Sequence, residues 1–375
     1  MSVPLISNEQ MVQTINNWYK EIRERNIEKA ESIKTNLEEQ ILQLNQSVNS
    51  KENPSIEESE TLLYFHLINF RFNLLQDNLS INNNSFNEID SFEIPAASKL
   101  TFYYNFFKAL HSTSISNYKE AREYFDKANQ LIHFITDDIE KSEYNYNLAT
   151  FYYHNYQAVL AITYGTKAKD EFSKHSGYEM NIAACNNLLG LACSYLREYE
   201  LAEEYFTSAI DTFKKNGAHK LILKVRHNIG LMYAEQDLSE LAVRYLEEVN
   251  QNIDGHYKAL FIEARERFKL GQLEEASRLS SMAYNICKEK GNKEYIYRIE
   301  ILMARIEKAP IEKLETVILE GNKHFEIENL YEYVQFYFEY LALQFREAGN
   351  SAKASEYFYL SYEAKKKIEE KERLK

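Results

Sequence analysis

Glycine and proline are scarce in this sequence, with 10 Gly and 4 Pro in 375 residues. Hairpins and sandwiches need such residues at their many turns, whereas the abundant Leu, Glu, Lys and Ala favour helices, so an all-α fold is expected. The three cysteines, Cys185, Cys193 and Cys287, are odd in number and fit neither a disulfide framework nor a zinc-site spacing, which points to a reducing compartment and buried thiols. No apolar run approaches the ~18 residues of a membrane helix, and the opening MSVPLISNEQ has neither a basic stretch nor an apolar one. A cytoplasmic protein without a membrane partner is expected. Positive charge is also in deficit, with 44 Lys and Arg against 57 Asp and Glu and a net charge of −13. Such a chain repels nucleic acid unless a basic patch is concentrated locally. The basic residues of Lys20–Lys34 are interleaved with Glu21, Glu24, Glu28 and Glu31, and read as a solvated helix face laced with ion pairs. The motifs GxxxxGK[ST], GxGxxG after a strand, HExxH, CxxC and GxSxG are all missing, so neither a self-contained enzyme site nor a cofactor is expected.

What the sequence does contain is a repeat. Pairs of small residues twelve apart recur as Ala109/Ala121, Ala149/Ala161, Gly190/Ala202, Gly230/Ala242, Ala264/Ala276 and Ala342/Ala354. From Ala121 to Ala276 the second member advances in steps of 40, 41, 40 and 34, and the final step of 78 leaves room for one degenerate repeat. Antiparallel helices approach closely only where each presents a residue without bulk, and an aromatic follows four residues after Ala121, Ala202 and Ala354 (Phe125, Phe206, Phe358). This is the tetratricopeptide pattern, with repeats about one helical turn or a loop longer than its minimal form. Gly177, Gly217, Gly255 and Gly291 fall where second helices should end, and Gly271 and Gly349 mark turns inside repeats. The 29 Tyr and 21 Phe then serve mainly as filling between helices.

A different region precedes the array. Ile15, Trp18, Tyr19 and Ile22 make one helical stripe; Ile33, Leu37, Ile41 and Leu44 make another; a third helix begins at Pro54–Ser55, with Ser55 and Glu58 as a capping box, and runs through Leu62–Leu75. The expected organisation is an N-terminal three-helix bundle over 1–76, an Asn- and Ser-rich linker over 77–90 on which the bundle can turn, and a tetratricopeptide superhelix over 91–375. Stacked repeats of this kind present their first helices as a trough suited to an extended peptide. Asn147 and Asn228 each stand two residues before the first small residue of their repeat, where a carboxamide offers both a donor and an acceptor to a peptide backbone. Asn186, Asn187, Tyr152, Tyr233 and Arg226 are candidate neighbours. His227, alone, reads as a satisfied polar residue.

Several stretches resemble the Rap family of Bacillus quorum-sensing regulators: INNWYKEIR (Ile15–Arg23), KAESIK (Lys29–Lys34), LLYFHLINFR (Leu62–Arg71), NYKEAREYF (Asn117–Phe125), DDIEKSEYNYNLATFYYH (Asp137–His154) and HNIGLMY (His227–Tyr233). In order and spacing they cover nearly the whole chain. The resemblance implies a cytoplasmic protein whose bundle docks a bacterial response regulator and whose repeat groove takes a short Phr-like signalling peptide. Some family members hydrolyse the aspartyl-phosphate of a sporulation phosphorelay protein, while others keep a competence regulator from DNA. The resemblance also implies that Asn228 grips the peptide backbone and that a family Asp aligns with Tyr195; with Asn147, His227 and Tyr152, read from the residues themselves, these make up the candidate peptide-binding set. The family's catalytic Gln aligns with Ser59, after an insertion around Ser47–Glu58, and Gln43 and Gln46 are the nearest substitutes. Hydrolysis needs a water placed in line by a side-chain amide, with Mg²⁺ supplied by the response regulator. Non-catalytic inhibition is therefore the expectation, and a generic tetratricopeptide scaffold is the alternative.

Overall fold

The computed structural model describes residues 7–50 and 55–372, and among these it contains eighteen α-helices, one short 3-10 turn and no strand. The core of the insertion, residues 51–54 with Pro54, and the first six residues lie outside the described set. The chain divides into two compact units. One comprises Met1–Ile115, Glu120–Leu148 and Lys167–Ile182; the other comprises Ser116–Lys119, Ala149–Thr166 and Ala183–Lys375.

The first unit is built on α1 (Asn8–Arg23), α2 (Ile27–Ser50) and α3 (Ile56–Gln76), which pack on one another. Ser55 caps α3 as its spacing predicts: its Oγ accepts from the Glu58 N–H at 3.2 Å while its own N–H donates to the Glu58 carboxylate. Trp18 is fully buried, with its ring 5.5 Å from Phe65 and 5.8 Å from Phe72. α3 is buried nearly all round because it also packs on α5 (Lys99–Ser114). The segment 77–90 is no bare strap, and it ends in the single turn of α4 (Asn87–Asp90). Ile81, Phe86 and Ile89 are buried, Lys108 and Tyr104 both bond the Asp90 carboxylate, and the His111 ring meets the Asn82 carbonyl at 2.9 Å. A turn about this segment would have to pull three apolar side chains into water.

From α5 onward the helices come in pairs. α5 is followed by α6 (Tyr118–Leu131), α7 (Asp138–His154) by α8 (Ala158–Phe172), and α9 (Glu179–Tyr195) by α10 (Tyr199–Lys215). Then come α11 (His219–Glu235) with α12 (Ser239–Asn252), α13 (Tyr257–Lys269) with α14 (Leu273–Lys290), α15 (Lys293–Ile306) with α16 (Ile311–Ile327), and α17 (Tyr331–Glu347) with α18 (Ser351–Glu372). Every small-residue pair read from the sequence falls on one such pair and is buried. A Cβ at Gly190 would lie 2.7 Å from the Phe206 ring, and one at Gly230 would lie 2.8 Å from Leu246. The degenerate repeat is α15–α16, where bulky Ile301 and Leu314 are buried instead. Its compensation is Gly321, whose missing side chain leaves room for the Ile301 tip. The turn inside each pair uses one left-handed residue, at Ser116, Tyr156, Arg197, Asp237, Gly271, Lys308 and Gly349, with φ between 50 and 76°. Within the second unit, early turns touch late repeats: Tyr118 donates to Glu294 at 3.1 Å, and the Gln157 amide donates to the Lys371 carbonyl at 3.2 Å.

Candidate functional site

In the second unit the first helices α9, α11, α13 and α15 line up polar side chains one after another. The Asn228 amide on α11 is 9% exposed and donates to the Asn187 Oδ1 on α9 at 2.8 Å, so two carboxamides from adjacent repeats are held in one place. Beside them His227 is buried with its ring 4.6 Å from His256, the residue that caps α13 by accepting the Ala259 N–H on Nδ1. Burial holds the His227 pKa well below its usual value, and His256 and Lys258 add to the effect. His227 is thus neutral at physiological pH, and its Nδ1 is buried with no hydrogen-bond partner. His154, at the end of α7, is likewise pushed down to about 3 by burial, with Lys258 adding and Glu294 opposing.

The other expected residues are distributed unevenly. Tyr195 lies 5.5 Å from Tyr156, and Tyr156 meets Tyr333 edge-on at 5.5 Å. Tyr152 stacks on Tyr164 at 5.5 Å. Asn147 falls in the first unit and donates to the Glu143 carbonyl of its own helix at 2.8 Å, so it does not repeat the cross-helix bond of Asn228. Asn186 donates to Ser208 at 3.1 Å, Tyr233 donates to Glu203 at 3.2 Å, and Arg226 is ion-paired with Glu248. Those three reach back to second helices. Ser208 and Glu203 belong to an open cleft of about 750 Å³ along α10 that also carries Glu200, Glu204 and Asp211.

The residues missed by sequence reading are charged and aromatic. Glu294 on α15 is buried and accepts from Arg298 at 2.9 Å, from Tyr118 at 3.1 Å and from Tyr333 at 3.3 Å. Burial would raise its pKa, yet Arg298 and Lys258 hold it below the usual carboxylate value. Arg298 lies over Phe261, Tyr295 and Tyr333 at 4.5 to 4.7 Å. The heptad spacing of Phe261/Phe268, Arg298/Arg305 and Tyr333/Tyr340 was the available signal.

In the bundle, Ser59 sits half-buried in the first turn of α3, its N–H bonded to the Ser55 carbonyl at 3.2 Å. Gln43 is half-buried and Gln46 exposed, both on α2. Arg23 departs from the solvated-face reading. Its side chain is 10% exposed and pairs with Asp137 at 2.6 Å and Glu140 at 3.4 Å, because α7 supplies carboxylates that no local pattern reveals. Next to it, Tyr19 donates to Glu143 at 2.8 Å and Arg71 pairs with the same carboxylate at 2.6 Å.

Residues 5–77 match the family described as response regulator aspartate phosphatase H, N terminal. Along its length the chain is 24% identical to Regulatory protein RapF of Bacillus subtilis (strain 168), covering 94% of each. It is also 24% identical to Response regulator aspartate phosphatase I of the same organism, covering 96% of this chain and 92% of the relative. Among solved structures, a Rap protein complexed with Competence and Sporulation Factor aligns with a TM-score of 0.78 at 20% identity, covering 97% of this chain and 99% of that one. That likeness shows the shared fold.

Proposed function

The chain belongs to the Rap family, and on that premise we propose that it is an intracellular peptide-sensing regulator. Its bundle of α1–α3 binds a bacterial response regulator, and a short signalling peptide held on the first helices of the second unit controls that binding. The observation that carries the reading is the Asn187–Asn228 pair, a half-buried and a buried carboxamide bonded across adjacent repeats. Carboxamides set on one face across two repeats match the alternating donors and acceptors of an extended backbone and demand no particular side chain from the peptide.

The bundle works by occupancy rather than by hydrolysis. Phosphoryl transfer to water needs an amide reaching an attacking water, and Mg²⁺ would come with the response regulator. Ser59 is too short for that reach. The full-length chain is mixed with a panel of response regulators, phosphorylated and not, and followed by size exclusion and phosphate release. One stable complex is expected, with no acceleration of dephosphorylation by the wild type and an acceleration by Ser59→Gln. Absence of any complex would end the reading, and rapid release by the wild type would remove its non-catalytic part.

A further inference from the structure

Two stacks of aromatic, guanidinium and aromatic stand seven residues apart across three first helices. Arg298 lies 4.7 Å from the Phe261 centroid and 4.5 Å from that of Tyr333; Arg305 lies 5.3 Å from Phe268 and 4.5 Å from Tyr340. Seven residues are about two helical turns, so these side chains form a ladder on one face. Stacking occupies both faces of a guanidinium and leaves its in-plane N–H edge for hydrogen bonds. At Arg298 that edge donates to Glu294. At Arg305 no ion pair exists among the described residues, and Nε is buried without an acceptor.

Lys258 is a second cation in the same condition. Its Nζ lies 5.7 Å from the Tyr295 centroid with no carboxylate in ion-pair range among the described residues, and the Glu294 oxygens are already taken by Arg298, Tyr118 and Tyr333. The neighbouring carboxylates are committed too, Glu263 to Arg267 at 2.6 Å and Glu266 to Arg265 at 2.7 Å. The rings of His154, His227 and His256 bring no negative charge. In a chain of net charge −13, two half-buried cations with no ion-pair partner among the described residues, Lys258 feeling Glu294 only from beyond ion-pair range, are of the kind proteins keep where a ligand supplies the missing charge.

We propose that the first-helix face of α13, α15 and α17 is a carboxylate-binding face and that the peptide it holds is acidic, one anionic group on the Arg305 edge and another at Lys258. This rests on the peptide-sensing reading above. Lys258 is level with Tyr295, ten residues before Arg305 on α15, which places the two groups about 15 Å apart. An extended chain covers that distance in about four to five residues.

The test uses the full-length chain and three fluorescent hexapeptide pools: acidic with free C-termini, the matching Asn/Gln pool with amidated C-termini, and a basic pool. The acidic pool should bind about tenfold or more tighter than the amide pool, and Arg305→Gln or Lys258→Met should each erase most of that preference. Without peptide, Lys258→Met should raise the melting temperature by about 2 °C or more, since it removes a half-buried charge that has no ion-pair partner among the described residues; a lowered melting temperature would give Lys258 a structural role and overturn its part. Tighter binding of the amide or basic pool would overturn the inference and leave the peptide-sensing reading standing. Binding of no pool would overturn both.

Discussion

A single hydrogen decides the packing at Gly190. A methyl group there would meet the Phe206 ring at 2.7 Å, and Phe206 is fully buried, so the ring has no free direction in which to yield. Gly190→Ala gains about 1 kcal/mol of helix propensity. Overpacking costs about 1 to 3 kcal/mol, and with a buried ring as the obstacle the overpacking should win. The expected outcome is a lower urea midpoint with an unchanged slope; a higher midpoint would mean that α9 and α10 are not in close contact. Asn228 and Asn147 show the opposite lesson at the same scale. Their identical places in the repeat pattern suggested one role, yet one bonds across helices and the other to its own backbone. Position within a repeat sets which face a side chain occupies, and the neighbouring repeat sets what it meets.

At the scale of elements, the first unit depends on a buried carboxylate. Glu143 on α7 receives Tyr19 from α1 and Arg71 from α3, both at hydrogen-bond distance, and all three side chains are buried. Removing one partner of such a pair leaves an uncompensated charge, so Glu143→Ala should cost about 3 to 5 kcal/mol, while the double change Arg71→Met with Glu143→Leu should recover much of the loss. Thermal unfolding of the three proteins checks this, and equal stability of the single and double variants would contradict it. The repeat, its missing member and the Ser55 cap were legible in the sequence because each is fixed by residues a few turns apart. The Arg23 and Glu143 network was not, since its partners lie 72 to 124 residues away in the chain. The packed segment 77–90 was read as linker because its many Asn and Ser obscured Ile81, Phe86 and Ile89, whose spacing follows no regular period. The Arg298 and Arg305 ladder spans three helices, and only its heptad spacing shows within any one of them.

For the whole molecule, the half-buried His154 and the buried His227 predict a response to acid. The folded chain holds His154 at about 3 and His227 well below its usual value, both through burial first. Unfolded histidines take up a proton near pH 6.5. Depressed folded values mean that the stability present above about pH 6.5 is lost as the pH falls from there, before the carboxylates begin to titrate. The urea midpoint should therefore drop between pH 7.5 and 5.0, and His154→Gln combined with His227→Gln should flatten the drop; an unchanged drop in that variant would exclude these two rings as its source. The central claim is that one chain couples a peptide on its repeats to a response regulator on its bundle. The direct measurement is competition on the full-length protein, with a labelled response regulator bound and a hexapeptide selected on the immobilised chain titrated in. Release of the response regulator at the same peptide concentration that saturates the repeats is the expected result. A peptide that saturates the repeats while the response regulator stays bound would contradict the account.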